Sequence, residues 1–446
     1  MNINTDNNLT LDDGAKIAVV GGGPTGSFFS YFVLKMAKMM GKEISVTVFE
    51  PKDFTKTGPA GCNRCGGIIS ELLVQSLAVE GINLPDTVVR KGINSYRLHT
   101  NHGSVFIATP TLDRTIATVY RGGGPKGSTA TELESFDKFL LERAVNEGAV
   151  HKPVMIDQVK FRGGRPVLYA RKEELMEADL VVGAFGVNSA TAKQFADMDL
   201  GYQEPPVITA AIAELNMGVD TVSEYFGNSI HLFLLPDPGI KFAAMIPKGA
   251  YVTLCILGSK INTNTVSEFL EKPLVKNVLP KTSDYSMECR CLPKMNVGAP
   301  KRPFNDRLVM CGDAGSTRLF KDGLGAAYLM GKAAAKTAVF QGVSRRDFQR
   351  GYYPTYKSII VDNYFGQFMY AVIGTYRSIG LLTSAMVKVV EKEQGGDSED
   401  RILSGILWDM FTGNERYKKI FAQSLKVKMH RDMWGGVFKT ILRRKA

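Results

Sequence analysis

Two patterns divide the chain. Up to about residue 340, short apolar, β-branched runs end repeatedly in glycine; beyond that, a long helical pattern rich in aromatics takes over. Ala15–Val20 (AKIAVV) reads as a buried parallel strand. Gly21-Gly22-Gly23-Pro24-Thr25-Gly26 follows at once, then a helical stretch (SFFSYFVLKMAKMM) stopped at Gly41, then the strand Ile44–Phe49 ending in Glu50. Met36, Met39 and Met40 on that helix are expected as core filling. Ala178–Gly186 and Arg307–Gly315 repeat the strand-into-glycine pattern, and Gly323 and Gly325 open an alanine-rich helix after the second. Between about 200 and 290 the pattern becomes Ser229–Leu235, Lys241–Pro247 and Tyr251–Leu257, joined by turns at Pro236–Gly239 and Lys248-Gly249, an antiparallel meander. From about 345 Arg377 interrupts the apolar run, which predicts a helical lid rather than a membrane span.

The predicted fold class is α/β with an α+β substrate domain. A Rossmann-like dinucleotide domain covers 14–200, with substrate-domain strands inserted near 90–120. An antiparallel substrate sheet follows over 201–290, the second part of the dinucleotide domain over 291–342, and a helical region over 343–446. The stretch EKEQGGDSED at 391–400 is the one linker-like segment. The glycine spacing carries chemistry. Gly21 permits a tight turn, Gly23 lets backbone approach a pyrophosphate, and Gly26 lets helix and strand pack. Glu50 is placed for a ribose hydroxyl, and the helix end at Pro24 and Thr25 faces the diphosphate. Gly312 and Asp313 at the end of a later strand, with Gly323 and Gly325 beyond, suit the polyol chain of one long nucleotide, which points to FAD rather than NAD. A second match, Gly122, Gly124 and Gly127, is read as a loop over the first site, because no acid follows at the required distance. His231, alone on an apolar strand, is read as a satisfied structural histidine.

Composition narrows the classes. The 446 residues carry a net charge of +11 and six cysteines, and the first twenty residues show no secretory signal, so a cytoplasmic protein with reduced thiols is expected. No nucleic-acid motif, zinc-protease helix, nucleophile elbow or Walker loop occurs. The tail from Glu415 is basic and amphipathic, with Trp434 and Phe438 on its apolar side, so an anionic membrane surface is a further candidate partner and a peripheral position on its inner face a candidate location.

VVGGGPTG at 19–26, CGGIIS at 65–70, the Phe-Asp pair in SFDKFLLERAVNEGA at 135–149, and VMCGDAGSTRLFKDGLGAAYLMG together resemble the FAD-dependent geranylgeranyl reductases, relatives of flavin aromatic hydroxylases and halogenases. The resemblance spans most of 16–341 and implies an FAD enzyme passing hydride to a carbon–carbon double bond of a prenyl or other long apolar lipid. A flavin monooxygenase and an electron-transfer flavoprotein serving a quinone or partner protein are the alternatives. The electron donor stays open among NAD(P)H, ferredoxin and quinol. The resemblance implies that Gly66 and Gly67 bring backbone to the flavin and that Cys65 faces the reacting site. The residues alone leave other readings of Cys62 and Cys65 open: ordinary buried thiols, a redox disulfide, or a four-thiolate metal site with Cys289 and Cys291. Two departures stand out. The flavin-contacting arginine, Arg121, comes before a glycine-rich insertion rather than just before the Phe-Asp pair. In Phe242-Ala243-Ala244-Met245-Ile246-Pro247, alanine occupies the place of the family's second aromatic.

Overall fold

The computed structural model describes residues 9–128, 134–197, 201–281, 284–396 and 400–445. The apolar runs followed by glycine assemble into a sheet ordered Phe304–Asn305, Leu308–Met310, Leu180–Gly183, Lys16–Val20, Ser45–Phe49, Val150–Lys152. Its pairings are parallel except at the Phe304–Asn305 edge. These strands are buried on both faces, which is why they read as continuous rather than alternating hydrophobics. Helices Pro24–Met39 and Gly323–Phe340 pack together over one face. Met36 packs against that core. Met39 and Met40 do not fill it: they lie on the last turn of the helix, past the packed face, and are exposed.

A second sheet runs Ser286–Cys291, Val207–Asn216, Tyr251–Gly258, Ile240–Lys248, Ser229–Phe233, Ser95–Thr100, Gly103–Ala108. It contains the predicted meander, with antiparallel pairing from His231 opposite Met245 through Lys248 opposite Tyr251. Period-two alternation gives this sheet two different faces. Ala211, Ala213, Met245, Leu254 and Ile256 face an outer cluster with helices Val219–Phe226 and Thr265–Leu270. Ile212, Phe242, Ala244, Ile246, Cys255 and Leu257 form the inner face, which the C-terminal helices cover. Phe242 stacks on Tyr370 at 5.9 Å and meets Phe411 edge-on at 5.2 Å. Arg377, read from the sequence as a break in an apolar run, donates to the carbonyls of Ile240 and Lys241 and pins helix Tyr353–Ser378 to the sheet. Among the described residues no helix is long and apolar enough to cross a membrane. Residues 129–133 and part of the linker, 397–399, lie outside the described residues.

His231 is buried, but it is not a satisfied histidine: neither ring nitrogen has a hydrogen-bond partner among the described residues. Its ring packs against His99 at 5.0 Å and Phe226 at 4.7 Å. Burial, reinforced for His231 by His99 and Arg97, holds His231 down at about 3 and His99 at about 4. Both folded values lie below the unfolded value near 6.5, so the stability gained from neutral rings is complete above pH ~6.5 and is lost as pH falls toward ~3. Replacing His231 with Phe, which suits the aromatic surroundings, is expected to remove up to one proton's worth of acid sensitivity, about 1.4 kcal/mol per pH unit. Denaturant unfolding between pH 7 and 4 checks this, and an unchanged pH slope contradicts it.

Candidate functional site

The first strand ends at Gly21, whose φ of 108° only glycine adopts freely and whose added Cβ would lie 2.4 Å from the Ala184 carbonyl. Gly26 is needed for packing: a Cβ there would sit 1.9 Å from the Gly21 oxygen. Gly23 differs from both. An added Cβ meets nothing nearer than Asn63 Nδ2 at 3.8 Å and Arg121 Nη2 at 3.9 Å, so it projects into open space faced by two nitrogen donors. Gly23 also caps helix Pro24–Met39 without any side-chain acceptor, so no side chain takes the hydrogen-bonding capacity of that helix end. Open room, an uncapped helix N-terminus and two converging donors fit a dinucleotide diphosphate. Glu50, buried, accepts from the backbone of Gly22 and Lys52, both at 2.9 Å. Burial raises its carboxyl and those two bonds work against the rise.

The second segment lies directly against the first. Gly312, at φ 64°, is so close to helix Pro24–Met39 that an added Cβ would fall 2.1 Å from Thr25 Oγ1. Asp313 follows, its side chain solvent-accessible. Desolvation by the surrounding protein raises its carboxyl, with Arg121 and the neighbouring Thr317 opposing the rise. Asn296 fixes this turn by donating to the Asp313 carbonyl at 2.8 Å. Two stretches about 290 residues apart therefore border one cleft.

Arg121 sits at the centre. Despite the insertion that separates it in sequence from the Phe-Asp pair, the guanidinium reaches Asp137 with Nε at 2.8 Å and Nη2 at 2.9 Å. The displacement in sequence is undone in space. Burial alone would lower the Arg121 pKa, but Asp137 and the neighbouring Cys65 hold it above its ordinary value. Asp137, fully buried, also accepts from Asn63 Nδ2, while Lys52 donates to Asn63 Oδ1 and the Cys62 carbonyl, both at 2.9 Å. Asp137 belongs to the Phe-Asp pair that helped carry the resemblance; Asn63 and Lys52 were not singled out from sequence, because nothing in their spacing marks them. Gly122 and Gly123 crowd Cys62 and Thr55, and Gly58 donates to the Gly124 carbonyl, so this glycine run is stitched to the segment that leads into the cysteine loop.

The cysteine loop bridges the two sheets. A Cβ on Gly66 would meet Ile246 Cδ1 at 3.2 Å and Cys255 Sγ at 3.3 Å. One on Gly67, at φ 65°, would fall 2.0 Å from the Val119 carbonyl and 3.0 Å from Lys248 Nζ. The protein's own packing thus requires glycine at 67 and leaves little room for a side chain at 66. All six cysteines are free, and among the described residues no group of three or more His, Cys, Asp or Glu could hold a metal, so the four-thiolate site is not assembled. Burial raises the Cys62 thiol, and Cys291 rises to about 11 for the same reason. Lys248, almost fully buried, has its ammonium 5.0 Å over the Tyr120 ring and no hydrogen bond or ion pair among the described residues. Near it Glu214 accepts from Thr253 Oγ1 at 2.8 Å; burial raises its carboxyl, with Lys248 opposing. These strand residues look in sequence like any polar position on a sheet.

The end of helix Gly323–Phe340 is less open than its glycines implied. Asp322, at φ 47°, takes the Gly325 N–H at 3.1 Å and pairs with Arg318, which also donates to the Gly413 carbonyl at 3.2 Å. Gly325 is thus already capped by protein; Gly323 has a Thr317 hydroxyl 3.4 Å from its would-be Cβ. Of the seven non-glycine residues in left-handed backbone among those described, Arg64, Phe320 and Asp322 fall on the two loops that flank the cleft, and Arg171, Lys172, Arg302 and Arg307 lie elsewhere.

The fold and cleft define an architecture, a dinucleotide-type parallel sheet set against an antiparallel-sheet domain. Within it the chain is similar to the geranylgeranyl reductases. A digeranylgeranylglycerophospholipid reductase from Methanococcus vannielii is 26% identical over 314 residues, 68% of this chain and 71% of that one. A geranylgeranyl bacteriochlorophyll reductase-like protein from Thermoplasma acidophilum shares the fold at a TM-score of 0.65 and 17% identity, over 92% of this chain and 98% of that chain. A flavin-dependent brominase follows at 0.60 and 14%, over 92% and 98%. No family model matches the chain.

Gly23 provides a clean test, because a side chain there enters the cleft without striking protein. Gly23→Val is expected to unfold within a degree or two of the parent, a cap change costing about 1 kcal/mol or less. Its flavin affinity should fall at least ~10-fold, about 1.4 kcal/mol. Flavin absorbance per chain after gel filtration, with a melting curve, reads both; full retention in a folded variant contradicts the assignment.

Proposed function

We propose that the protein is an FAD-dependent reductase that adds two hydrogens across a carbon–carbon double bond of a prenyl-type or other long apolar lipid. The observation that carries this reading is the inner face of the second sheet. One apolar cluster runs from Ile246 and Cys255, against the cysteine loop, to Leu234, Met369 and Met386 under the C-terminal helices. At that far end lies a cavity of about 70 Å³ walled by Leu234, Met369, Ile373, Met386, Leu407 and Met433. An apolar cluster that begins at the cysteine loop and ends at a cavity among methionines suits a flexible hydrocarbon and offers a polar substrate almost nothing.

FAD fits the cleft through Gly23 and the end of helix Pro24–Met39 for its diphosphate, Glu50 for its ribose, and Asp313 with Arg121 for its polyol chain. When bound and reduced, it supplies a hydride. The chain's own residues do the rest. Asp137 fixes Arg121, so this cation beside Cys65 keeps its position and charge. The apolar cluster orients the alkene and keeps water out. Cys65, Lys248 and Glu214 gather exchangeable protons where the loop meets the sheet. Ala244, standing where the resemblance calls for an aromatic, leaves the inner face less crowded at its centre.

With dithionite-reduced protein under anaerobic conditions, a geranylgeranyl lipid is expected to gain two hydrogens per double bond by mass. Cys65→Ala should slow this at least ~10-fold, about 1.4 kcal/mol in the barrier, without loss of flavin. Cys62→Ala, whose thiol burial keeps unreactive, should stay close to the parent. Substrate-coupled oxygen uptake with a hydroxylated product would establish the monooxygenase reading instead. Flavin turnover with a protein partner or quinone and no lipid product would establish electron transfer.

A further inference from the structure

The helix Val427–Lys445 has two apolar faces, and the protein uses only one. Met429, Met433 and Val437 point inward and are buried, and Gly436 brings the helix within 3.3 Å of Ala385, measured from an added Cβ. On the opposite side Val427, Trp434, Phe438 and Ile441, spaced seven, four and three apart, form a stripe open to solvent. Trp434 is 61% exposed and Phe438 65%. Helix Tyr353–Ser378 carries a second exposed apolar row, Val361, Tyr364 and Phe368, of which Tyr364 is 63% exposed. Phe421, on the short helix Tyr417–Ser424 that precedes Val427–Lys445, packs on Phe368 at 5.6 Å, and exposed Leu425 follows it in sequence. Isolated apolar residues at a surface are ordinary; two exposed apolar rows on helices that wall one cavity mark a partner. That apolar cavity is walled by Val372 and Ile373 from one helix and Met429 and Met433 from the other.

We propose that these two helices form a docking face for an anionic lipid bilayer, set over the cavity so that a lipid chain enters it directly from the membrane. The docking stands apart from the reading of catalysis; the entry of a prenyl chain rests on it. Charge selects the occupant. Lys426 and Arg431 are exposed beside the stripe, and the chain as a whole carries +11. Lys439, Arg443, Arg444 and Lys445 follow in sequence, although their side chains lie outside the described residues. A second copy of this chain would bring the same cations face to face, whereas anionic headgroups complement them. Among the described residues no helix is long and apolar enough to span the bilayer, and the amphipathic pair would lie in its interface.

The chain's two tryptophans supply an internal probe, since Trp408 is fully buried and Trp434 is not. Phosphatidylglycerol vesicles should blue-shift the emission of the flavin-loaded protein and carry it up on flotation. Phosphatidylcholine vesicles should do neither, and added salt should weaken binding. Trp434→Ser with Phe438→Ser, and separately Tyr364→Ser with Phe368→Ser, should keep the parent's melting temperature and lower vesicle partitioning at least ~10-fold. The tail variant should reduce lipid presented in vesicles more slowly, yet match the parent on detergent-dispersed lipid. Undiminished flotation of both variants, no binding of the parent to anionic vesicles, or a dimer that the substitutions dissolve would each overturn the docking face. Normal flotation with equal slowing on both lipid forms would overturn only the entry route, and absence of any lipid product would count against the catalytic reading alone.

Discussion

Everything at the cleft depends on how closely helix Pro24–Met39 can approach the segment from Gly312 to Gly331. An added Cβ on Gly312 would overlap Thr25, and one on Gly331 would lie 3.1 Å from the Thr25 carbonyl and the Phe29 nitrogen. Small residues at these crossings let two distant stretches share one wall, so the diphosphate end and the polyol end of a long nucleotide can be held together. A single large residue at either crossing would push the walls apart, and steric overlap in a close-packed interior has no cheap escape.

Around that contact the polar groups are arranged in order of burial. Asp137 is sealed in and committed to Arg121 and Asn63, and Arg121 turns its charge toward Asp313 and Cys65. Removing one partner from such a buried pair leaves the other uncompensated, typically at a cost of about 3–5 kcal/mol, so the pair acts as a single rigid unit. The glycines of the cysteine loop then connect this unit to the substrate sheet, and Lys321, donating to the carbonyls of Asp409 and Glu415 at 2.7 and 2.8 Å, ties the same region to the C-terminal helices. Burial lowers Lys321 to about 7. The dinucleotide domain, sheet and helical cover therefore meet at the place where the chemistry is proposed.

What could be read from the chain follows from the range of each cause. The parallel strands, the Gly21–Gly26 turn and the meander arise from local periodicity and backbone sterics, so they were legible. The pairing of Arg121 with Asp137 spans an insertion whose path no local pattern reveals, and spacing alone made it a departure. Gly66, Gly67, Gly122 and Gly123 showed that something had to come close, but not what; the neighbour in each case is protein. Met39 and Met40 have the composition of a core and lie beyond its edge. Lys248 and Glu214 became visible only when alternation placed both on the inner face. The second apolar stripe of the tail required knowing which face was already covered.

The central claim is that one chain holds one long flavin nucleotide across both segments. Its most direct test is to purify the protein, denature it, and identify what is released by chromatography and mass. The account predicts FAD, with stoichiometry close to one per chain. Release of FMN, which has no adenosine diphosphate to fill the Gly21–Glu50 half of the cleft, or failure of the folded protein to bind added FAD, would contradict it.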